Sequence, residues 1–386
     1  MKKKYLIISN TFYPDRNSAA KLLENLASEL LKKKNRVIVV CAREENSYKD
    51  ISQLNGIKII NIFCKNIKNK NLYKRGIGEL FISKKLISES HKFINKYRPS
   101  DLICYSPPIF FRGFVKHLVK NYRCSSFLIL RDLFPYWVIS CKIIKNYFLK
   151  LYLTNIFKSF VRTFDVVGVE AISNIEFLRK KKINIKEIIY LPNWIDIYKK
   201  KQVSWKKPEV IVFGGNIGLG QDIKKVCNFY NKVSLLTPNM QFKIVGKNMS
   251  KDYLTFKLNG HTINNTMVFD SLPPKLFDNE LDKSSYGVIS LDDRIESVNF
   301  PGRMLNYLKH GLPIILITNK ENELSNFILE NKIGVVIHKK TSIADSIVTL
   351  RRIKQKFIKN KYHNKIIIKY FNPTSVMAQI TNSCDR

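Results

Sequence analysis

Short apolar runs alternate with longer amphipathic segments along almost the whole chain. The runs have the near-continuous apolar character of buried parallel strands, whereas the longer segments repeat apolar residues at helical spacing. In the predicted helix over residues 18–33, for example, Leu22, Leu26 and Leu30 share one face. The predicted strands are residues 5–9, 37–41, 57–62, 101–105, 127–130, 166–169, 188–191, 210–213, 242–245, 267–269, 287–291, 314–317 and 334–337. This alternation predicts an α/β protein built on parallel sheets.

A polar, basic stretch at residues 197–204 interrupts the pattern, which then restarts. We therefore predict two Rossmann-like domains that face a central cleft. The first covers residues 1–200 and the second covers residues 201–365. Residues 366–386 form a C-terminal helix that can cross back to the first domain. Further helices are predicted over residues 77–95, after Pro108, up to Leu236 and over residues 301–310.

Two unusual loops of the first half follow predicted strands, where ligands bind in open α/β sheets. The loop of residues 10–20 leads into a helix that begins with small residues, which permit close approach of a ligand. An ordinary capped turn is the alternative. The second loop begins with Arg131 and Asp132. A carboxylate at a strand end is a candidate acceptor-binding group or base, and the alternative is a structural ion pair.

Two loops of the second half carry features suited to phosphate. Residues 214–221 contain four glycines, which let backbone N–H groups approach an anion, although the spacing matches neither a Walker loop nor a dinucleotide fingerprint. Residues 298–306 lead into a short helix whose first turn holds Pro301 and Arg303, with Asn306 on the same face. A guanidinium at a helix N-terminus favours an anionic oxygen cluster, although any helix can carry an exposed arginine.

Composition adds a strong positive charge. The 386 residues include 67 Lys and Arg against 30 Asp and Glu, a formal net charge of +37. Such a field attracts nucleic acid, anionic lipid or phosphorylated substrates, although compositional drift is an alternative source of the charge. The seven cysteines lack zinc or disulfide spacing, which suits a reducing cytosol and predicts no metal site. The N-terminal apolar run is too short for a signal peptide, and no apolar stretch approaches the length of a spanning helix.

Residues 139–162 combine lysines with large apolar side chains and contain no acidic residue. The basic residues are Lys142, Lys145, Lys150, Lys158 and Arg162. Such an amphipathic segment can lie in the interface of an anionic membrane. The alternative is a domain-packing helix with solvated lysines.

Several of these segments together resemble glycosyltransferase family 4, the retaining nucleotide-sugar enzymes of the GT-B type. The likeness is strongest to the bacterial subgroup that builds O-antigen and capsule. The matching segments are YPDRNSAA at 13–20, RDLFP at 131–135, LPNW at 191–194, FGGNIG at 213–218 and NFPGR at 299–303 with GLP at 311–313. The resemblance covers nearly the whole chain.

The resemblance implies transfer of a hexosyl or N-acetylhexosaminyl group from a nucleoside diphosphate sugar, with retention and without a cofactor. Asp132 and Arg303 are the implied catalytic residues. The implied donor-binding residues are Gly215, Asn216, Gly218, Gln221, Arg303 and Asn306. The implied acceptor-binding residues are Tyr13, Arg16, Asn17, Ser18, Arg131 and Asp132. The implied acceptor is an undecaprenyl-diphosphate-linked saccharide, which places the protein in the cytoplasm against the anionic inner face of the membrane.

This chain departs from the wider family at four positions. Val298 and Asn306 occupy the positions of two glutamates, and Asn216 and Gln221 occupy those of an arginine and a lysine. These changes shift the expected charge partner of the phosphates to Arg303. The main alternative function is a sugar-nucleotide epimerase of the same architecture. A nucleic-acid binder is a remote alternative because no such motif accompanies the charge, and the missing glycine fingerprint disfavours a nicotinamide dehydrogenase.

Overall fold

The computed structural model describes residues 2–15, 17–44, 52–65, 67, 72–197, 204–205, 207–215, 220–246, 266–269, 272–296 and 299–384, with backbone alone over 72–80. The chain forms two compact units. Unit 1 is Met1–Asn193 with Pro373–Arg386, and unit 2 is Trp194–Asn372. These divisions lie at 193/194 and 372/373, whereas the sequence pattern predicts them at 200/201 and 365/366.

Unit 1 contains an eight-stranded sheet in the described residues, with strand order β3-β4-β2-β1-β5-β6-β7-β8. All neighbouring strands are parallel except the short edge strand β3. The strands are β1 Lys4–Ser9, β2 Arg36–Arg43, β3 Gln53–Leu54, β4 Ile57–Phe63, β5 Asp101–Ser106, β6 Ser125–Leu130, β7 Val166–Val169 and β8 Glu187–Tyr190. The helices are α1 Ser18–Lys32, α2 Leu72–Tyr97, α3 Arg112–Tyr122, α4 Tyr136–Ser140, α5 Tyr147–Val161 and α6 Ile172–Lys180, with a 3₁₀ helix at Ile109–Phe111.

Unit 2 contains a six-stranded parallel sheet in its described part, with strand order β11-β10-β9-β12-β13-β14. Its strands are β9 Val210–Gly214, β10 Gln241–Val245, β11 Thr266–Phe269, β12 Tyr286–Ser290, β13 Ile314–Ile317 and β14 Gly334–Ile337. Its helices are α7 Ile223–Leu236, α8 Pro274–Asp282, α9 Gly302–Lys309, α10 Glu323–Glu330, α11 Ile343–Asn360 and α12 Tyr362–Tyr370. The predicted α/β class with two parallel-sheet domains is therefore confirmed.

The last helix, α13 (Pro373–Cys384), belongs to unit 1 rather than to the unit that precedes it in the chain. It packs against α1. The Lys3 Nζ atom also donates a hydrogen bond to the Cys384 carbonyl at 2.9 Å. The C-terminal segment thus completes the first unit.

Each predicted strand is present, with ends that differ by at most two residues. The central strands β1 and β5 are buried along almost their whole length because helices cover both faces of the sheet. The single amphipathic helix predicted over 139–162 is wrong: α4 ends at Ser140, and α5 starts afresh after the Asn146 side chain caps it. An asparagine at this position accepts the Leu149 N–H and fixes the helix start. In the described part of the chain, no helix is long and apolar enough to cross a membrane.

Candidate functional site

The strand order of unit 2 places two loops at one point. Strand β9 lies between β10 and β12, so the chain leaves β9 towards one side of the sheet and later returns on the other side. This reversal is the position where open α/β sheets bind ligands, beyond the carboxyl ends of the strands. The glycine-rich loop follows β9, and the segment leading to α9 follows β12. The two phosphate-type loops predicted from sequence therefore start at neighbouring strands.

Arg303 lies in the first turn of α9 and approaches the end of β9 directly. Its guanidinium carbon is 4.9 Å from the centre of the Phe213 ring, a cation–π contact. A Cβ atom on Gly215 would lie 3.3 Å from Arg303 Nη2, and Gly215 has a φ of +112°, which side-chain-bearing residues rarely adopt. Only glycine therefore leaves the guanidinium this close to the start of the loop.

Burial lowers the pKa of Arg303, while the nearby Tyr307 hydroxyl acts in the opposite direction. A guanidinium keeps its proton in proteins, so the desolvated cation still carries its charge. A partly buried fixed cation at the start of the glycine-rich loop stabilises an anion strongly, since few water molecules screen it.

Tyr307 follows Arg303 by one helical turn and anchors the same loop from below. Its hydroxyl accepts a 2.9 Å hydrogen bond from the Gly214 N–H and donates one of 3.1 Å to the Val288 carbonyl. The ring fits because Gly287 has no side chain: a Cβ there would lie 2.4 Å from the ring. Helix α9 thus links β9 to β12 through one side chain while it presents Arg303.

The other predicted donor residues differ in their placement. The Gly215 N–H donates to the Val245 carbonyl at 2.9 Å, so this amide is used within the protein rather than offered to a ligand. The side-chain oxygen of Gln221 is buried, and none of the described residues hydrogen-bonds it. Asn306 is partly exposed on α9. Asn216 and Gly218 lie outside the described residues, as does Val298.

The two aspartates after β12 are engaged by cations. Asp292 pairs with Arg294 at 2.5 Å, and this contact lowers the pKa of its carboxyl. Asp293 pairs with Lys225 at 2.7 Å. Desolvation raises the pKa of the Asp293 carboxyl, but Lys225 and Asn319 together outweigh this effect, so that the pKa is lowered overall. Within the residues that the structure describes, no group of three or more metal-type ligands occurs.

In unit 1, Arg131 lies buried at the end of β6. Its guanidinium donates to the carbonyls of Leu191 at 2.5 Å and Pro192 at 3.4 Å. Burial lowers the pKa of Arg131, and the charge of the buried Glu170 opposes this effect. Glu170 in turn accepts a 3.0 Å hydrogen bond from Asn193 Nδ2. Arg131 therefore ties the segment after β8 to the sheet.

Asp132 is exposed at the same strand end, next to the buried Arg131. The protein around it still desolvates the carboxyl group, which raises the pKa of Asp132, and the Arg131 guanidinium acts in the opposite direction. An exposed carboxylate with a raised pKa, held at the carboxyl end of a central strand, is suited to contact a substrate hydroxyl.

The first loop of unit 1 is held by its own side chains and by the buried Arg43 of β2. Asn17 caps α1 by accepting the Ala20 N–H at 2.8 Å, and its amide donates to Thr11 Oγ1 at 2.8 Å. Tyr13 and Ser18 are exposed on the same loop. Arg16 lies outside the described residues.

Three residues with structural control over these loops were missed from sequence. Arg43 ends β2, is fully buried and pairs with Asp15 at 2.8 Å. Glu170, which faces Arg131, and Tyr307, which binds the Gly214 N–H, are the other two. The sequence contains only a weak signal for Arg43 and Glu170. Arg43 ends an apolar run and Glu170 follows one, and an isolated charged residue at such a position is often a ligand group or a buried ion-pair partner.

Several solved structures share the fold of this chain. Sucrose-phosphate synthase from Thermosynechococcus elongatus has a TM-score of 0.74 at 11% identity, over 99% of this chain and 98% of its own. A TarM mutant from S. aureus, in complex with fondaparinux, alpha-GlcNAc-glycerol and UDP, has a TM-score of 0.72 at 11% identity, over 100% of both chains. WaaG, a glycosyltransferase involved in lipopolysaccharide biosynthesis, has a TM-score of 0.63 at 10% identity, over 97% of this chain and 98% of its own.

These similarities establish the fold of the chain as the two-domain GT-B type. Because the sequence identities are only 10–11%, these similarities are evidence for the fold and not for the activity of this chain. No protein-family model matches the sequence, and no curated protein matches it significantly.

Proposed function

We propose that this protein is a glycosyltransferase that uses a nucleoside diphosphate sugar as donor. The observation that carries the proposal is the contact of Arg303 with Phe213 and Gly215 at the point where the strand order of unit 2 reverses. A fixed cation and a helix N-terminus meet there at the start of the glycine-rich loop, and both favour a diphosphate. The TarM structure with the same fold contains UDP, which makes UDP the first probe.

The proposed reaction breaks the bond between the anomeric carbon and the diphosphate oxygen and forms one to an acceptor hydroxyl oxygen, with retention. The bonding electrons leave with the diphosphate, whose growing charge Arg303 stabilises. Asp132 orients the acceptor hydroxyl, and the hydroxyl proton passes to the departing phosphate oxygen. The transferred group is a hexosyl or N-acetylhexosaminyl residue, in keeping with the family resemblance.

For the acceptor, we propose an undecaprenyl-diphosphate-linked saccharide of O-antigen or capsule assembly, bound by unit 1. The net charge of +37 suits an anionic, membrane-held substrate. The fold similarity to WaaG, whose name refers to lipopolysaccharide biosynthesis, agrees with this choice. The protein would then work in the cytoplasm, bound peripherally to the inner face of the membrane.

The test of the donor site is isothermal titration of UDP, GDP, ADP and dTDP into the wild type and into Arg303→Ala. We expect one nucleotide to bind the wild type and to lose about 10- to 100-fold in affinity in the variant, because a charge-assisted hydrogen bond is removed. Arg352→Ala is the matched control, since Arg352 is an exposed arginine of the same unit. Equal affinities of Arg303→Ala and the wild type, with both folded, would contradict the proposal.

The test of the reaction is release of nucleoside diphosphate in the presence of membrane-extracted lipid-linked saccharides. Asp132→Asn should abolish this release and leave nucleotide affinity unchanged. If the sugar nucleotide alone is converted to its epimer, as followed by proton NMR, the protein is an epimerase and the proposed transfer is wrong.

A further inference from the structure

The first two turns of α5 expose large apolar side chains to an unusual degree. Phe148 is 78% exposed and Tyr147 is 70% exposed, while Leu151 and Tyr152 are 49% and 47% exposed. Scattered exposed apolar residues are normal on protein surfaces, but a contiguous group on two turns indicates an interaction surface.

This end of the helix is firmly built. Asn146 Oδ1 accepts the Leu149 N–H at 2.9 Å, so the helix begins with a side-chain cap. Its other half is buried, with Phe157 edge-on to Tyr136 at 5.5 Å between ring centres. The exposed aromatic residues therefore project from an anchored helix.

The charged residues of segment 139–162 and of the helix that packs against α5 have one sign. Lys142, Lys145 and Lys150 flank them, and residues 139–162 contain no aspartate or glutamate. Helix α3 packs against α5 and contributes Arg112, Lys116 and Lys120, again without an acidic residue. Aromatic rings combined with lysines suit the boundary between anionic headgroups and acyl chains, where rings enter the interface and lysine heads remain at the phosphates.

We propose that the basic aromatic surface, formed by Lys142, Lys145, Tyr147, Phe148, Leu151 and Tyr152, docks onto an anionic lipid bilayer. Tyr147, Phe148, Leu151 and Tyr152 insert into the interfacial layer, and the lysines bind lipid phosphates. Docking itself rests on the structure of unit 1 alone. Docking would bring a lipid-linked acceptor towards the Asp132 loop, which lies only fifteen residues earlier in the chain. This role of docking rests on the proposed function.

The test is co-sedimentation with phosphatidylcholine vesicles that contain either no phosphatidylglycerol or 30% of it, a composition we choose to give a clear negative surface charge. We expect the wild type to bind the anionic vesicles only and to be released as salt is raised. Phe148→Ser/Tyr152→Ser should lower partitioning about ten-fold because the inserted apolar area is lost. Lys142→Gln/Lys145→Gln should weaken binding and reduce its salt dependence.

The matched control is Leu235→Ser/Leu236→Ser, which removes two exposed leucines from α7 of unit 2 and should bind vesicles as the wild type does. All variants should keep the wild-type circular dichroism and the wild-type affinity for nucleotide in solution. If the wild type binds no nucleotide, the proposed function is contradicted, whereas the proposal that this surface docks onto a membrane is unaffected.

Two outcomes would overturn the proposal. The first is equal binding of the wild type and the Phe148→Ser/Tyr152→Ser variant to anionic vesicles. The second is a wild-type dimer in analytical ultracentrifugation that the same variant dissociates, together with no vesicle binding, since this would identify the surface as a contact between copies of the chain.

Discussion

The Tyr307 hydroxyl and the Gly214 backbone N–H are joined by a 2.9 Å hydrogen bond that fixes the end of strand β9 to helix α9. Burial raises the pKa of Tyr307, with Arg303 and the Gly214 contact opposing it, so the hydroxyl keeps its proton for the Val288 carbonyl. Because Arg303 lies one turn earlier on α9, this contact also sets the distance between the guanidinium and the glycine loop. Tyr307 is therefore a positioning residue for the proposed donor site.

Tyr307→Phe should destabilise unit 2 by about 1–3 kcal/mol, because a buried N–H and a buried carbonyl lose their partner. Nucleotide affinity should also fall several-fold, since the loop loses its anchor. Urea unfolding and calorimetric titration measure the two effects. Tyr286→Phe is the control: its hydroxyl binds Glu209 at the opposite end of β12, so it should cost stability but not affinity. Equal nucleotide affinity of Tyr307→Phe and the wild type would show that the anchor has no role in the site.

The sequence was sufficient for the fold because parallel strands covered on both faces are continuous apolar runs, as at residues 314–317. The sequence also predicted that the glycine loop and Arg303 start from the same edge of the sheet, since the carboxyl ends of parallel strands share an edge. It did not reveal Tyr307, because a tyrosine on the apolar face of a helix has the same pattern as any core residue. The hydrogen bond from the Gly215 N–H to the Val245 carbonyl was equally hidden, since a contact between neighbouring strands that are far apart in sequence has no local signal.

Gly287→Ala should destabilise the protein by about 1–3 kcal/mol or more, because the new Cβ would lie 2.4 Å from the Tyr307 ring in a filled core. The clash moves the ring, so nucleotide affinity should fall as well. Urea unfolding of Gly287→Ala, of Tyr307→Leu and of the double variant Gly287→Ala/Tyr307→Leu tests the cause. The double variant should lose less stability than the sum of the losses of the two single variants, because the clash caused by Gly287→Ala requires the tyrosine ring that Tyr307→Leu removes. Strict additivity would contradict the contact.

Arg43→Met should cost about 3–5 kcal/mol, because it leaves a half-buried carboxylate and two carbonyls without their cation. Arg43 pairs with Asp15 at 2.8 Å and donates to the carbonyls of Phe12 at 3.0 Å and Tyr13 at 2.6 Å. Arg43→Lys should not restore the loss, since one ammonium cannot reach all these acceptors.

Urea unfolding measures the loss, with Lys32→Met as the control. Lys32 pairs with Glu29 on the surface, where such pairs contribute little, so its variant should be near wild-type stability. Arg43→Met/Asp15→Leu should recover part of the loss because the stranded carboxylate is removed. If Arg43→Met is as stable as Lys32→Met, the buried pair does not hold the loop.

His363 should make unit 2 less stable in mild acid. Burial, helped by the charges of Lys354 and Lys361, lowers the pKa of His363 to about 4 from 6.5. Between pH 6.5 and pH 4, the His363 side chain therefore binds a proton in the unfolded chain but not in the folded chain. The free energy of unfolding falls as the pH drops through this range. At pH 5 the loss relative to pH 7 is about 2 kcal/mol, at 1.36 kcal/mol per unit of pKa.

His363→Phe should remove this share of the acid sensitivity, since phenylalanine does not titrate and keeps the contact with the Phe357 ring, 5.2 Å away in the wild type. The measurement is the free energy of unfolding in urea at pH 7 and pH 5, taken for the wild type and for both this variant and His117→Gln. His117 lies on α3 of unit 1, outside the unit that contains His363, so His117→Gln is the control for replacing a histidine elsewhere in the chain. The same drop between pH 7 and pH 5 in His363→Phe as in the wild type would mean that another group causes the acid sensitivity.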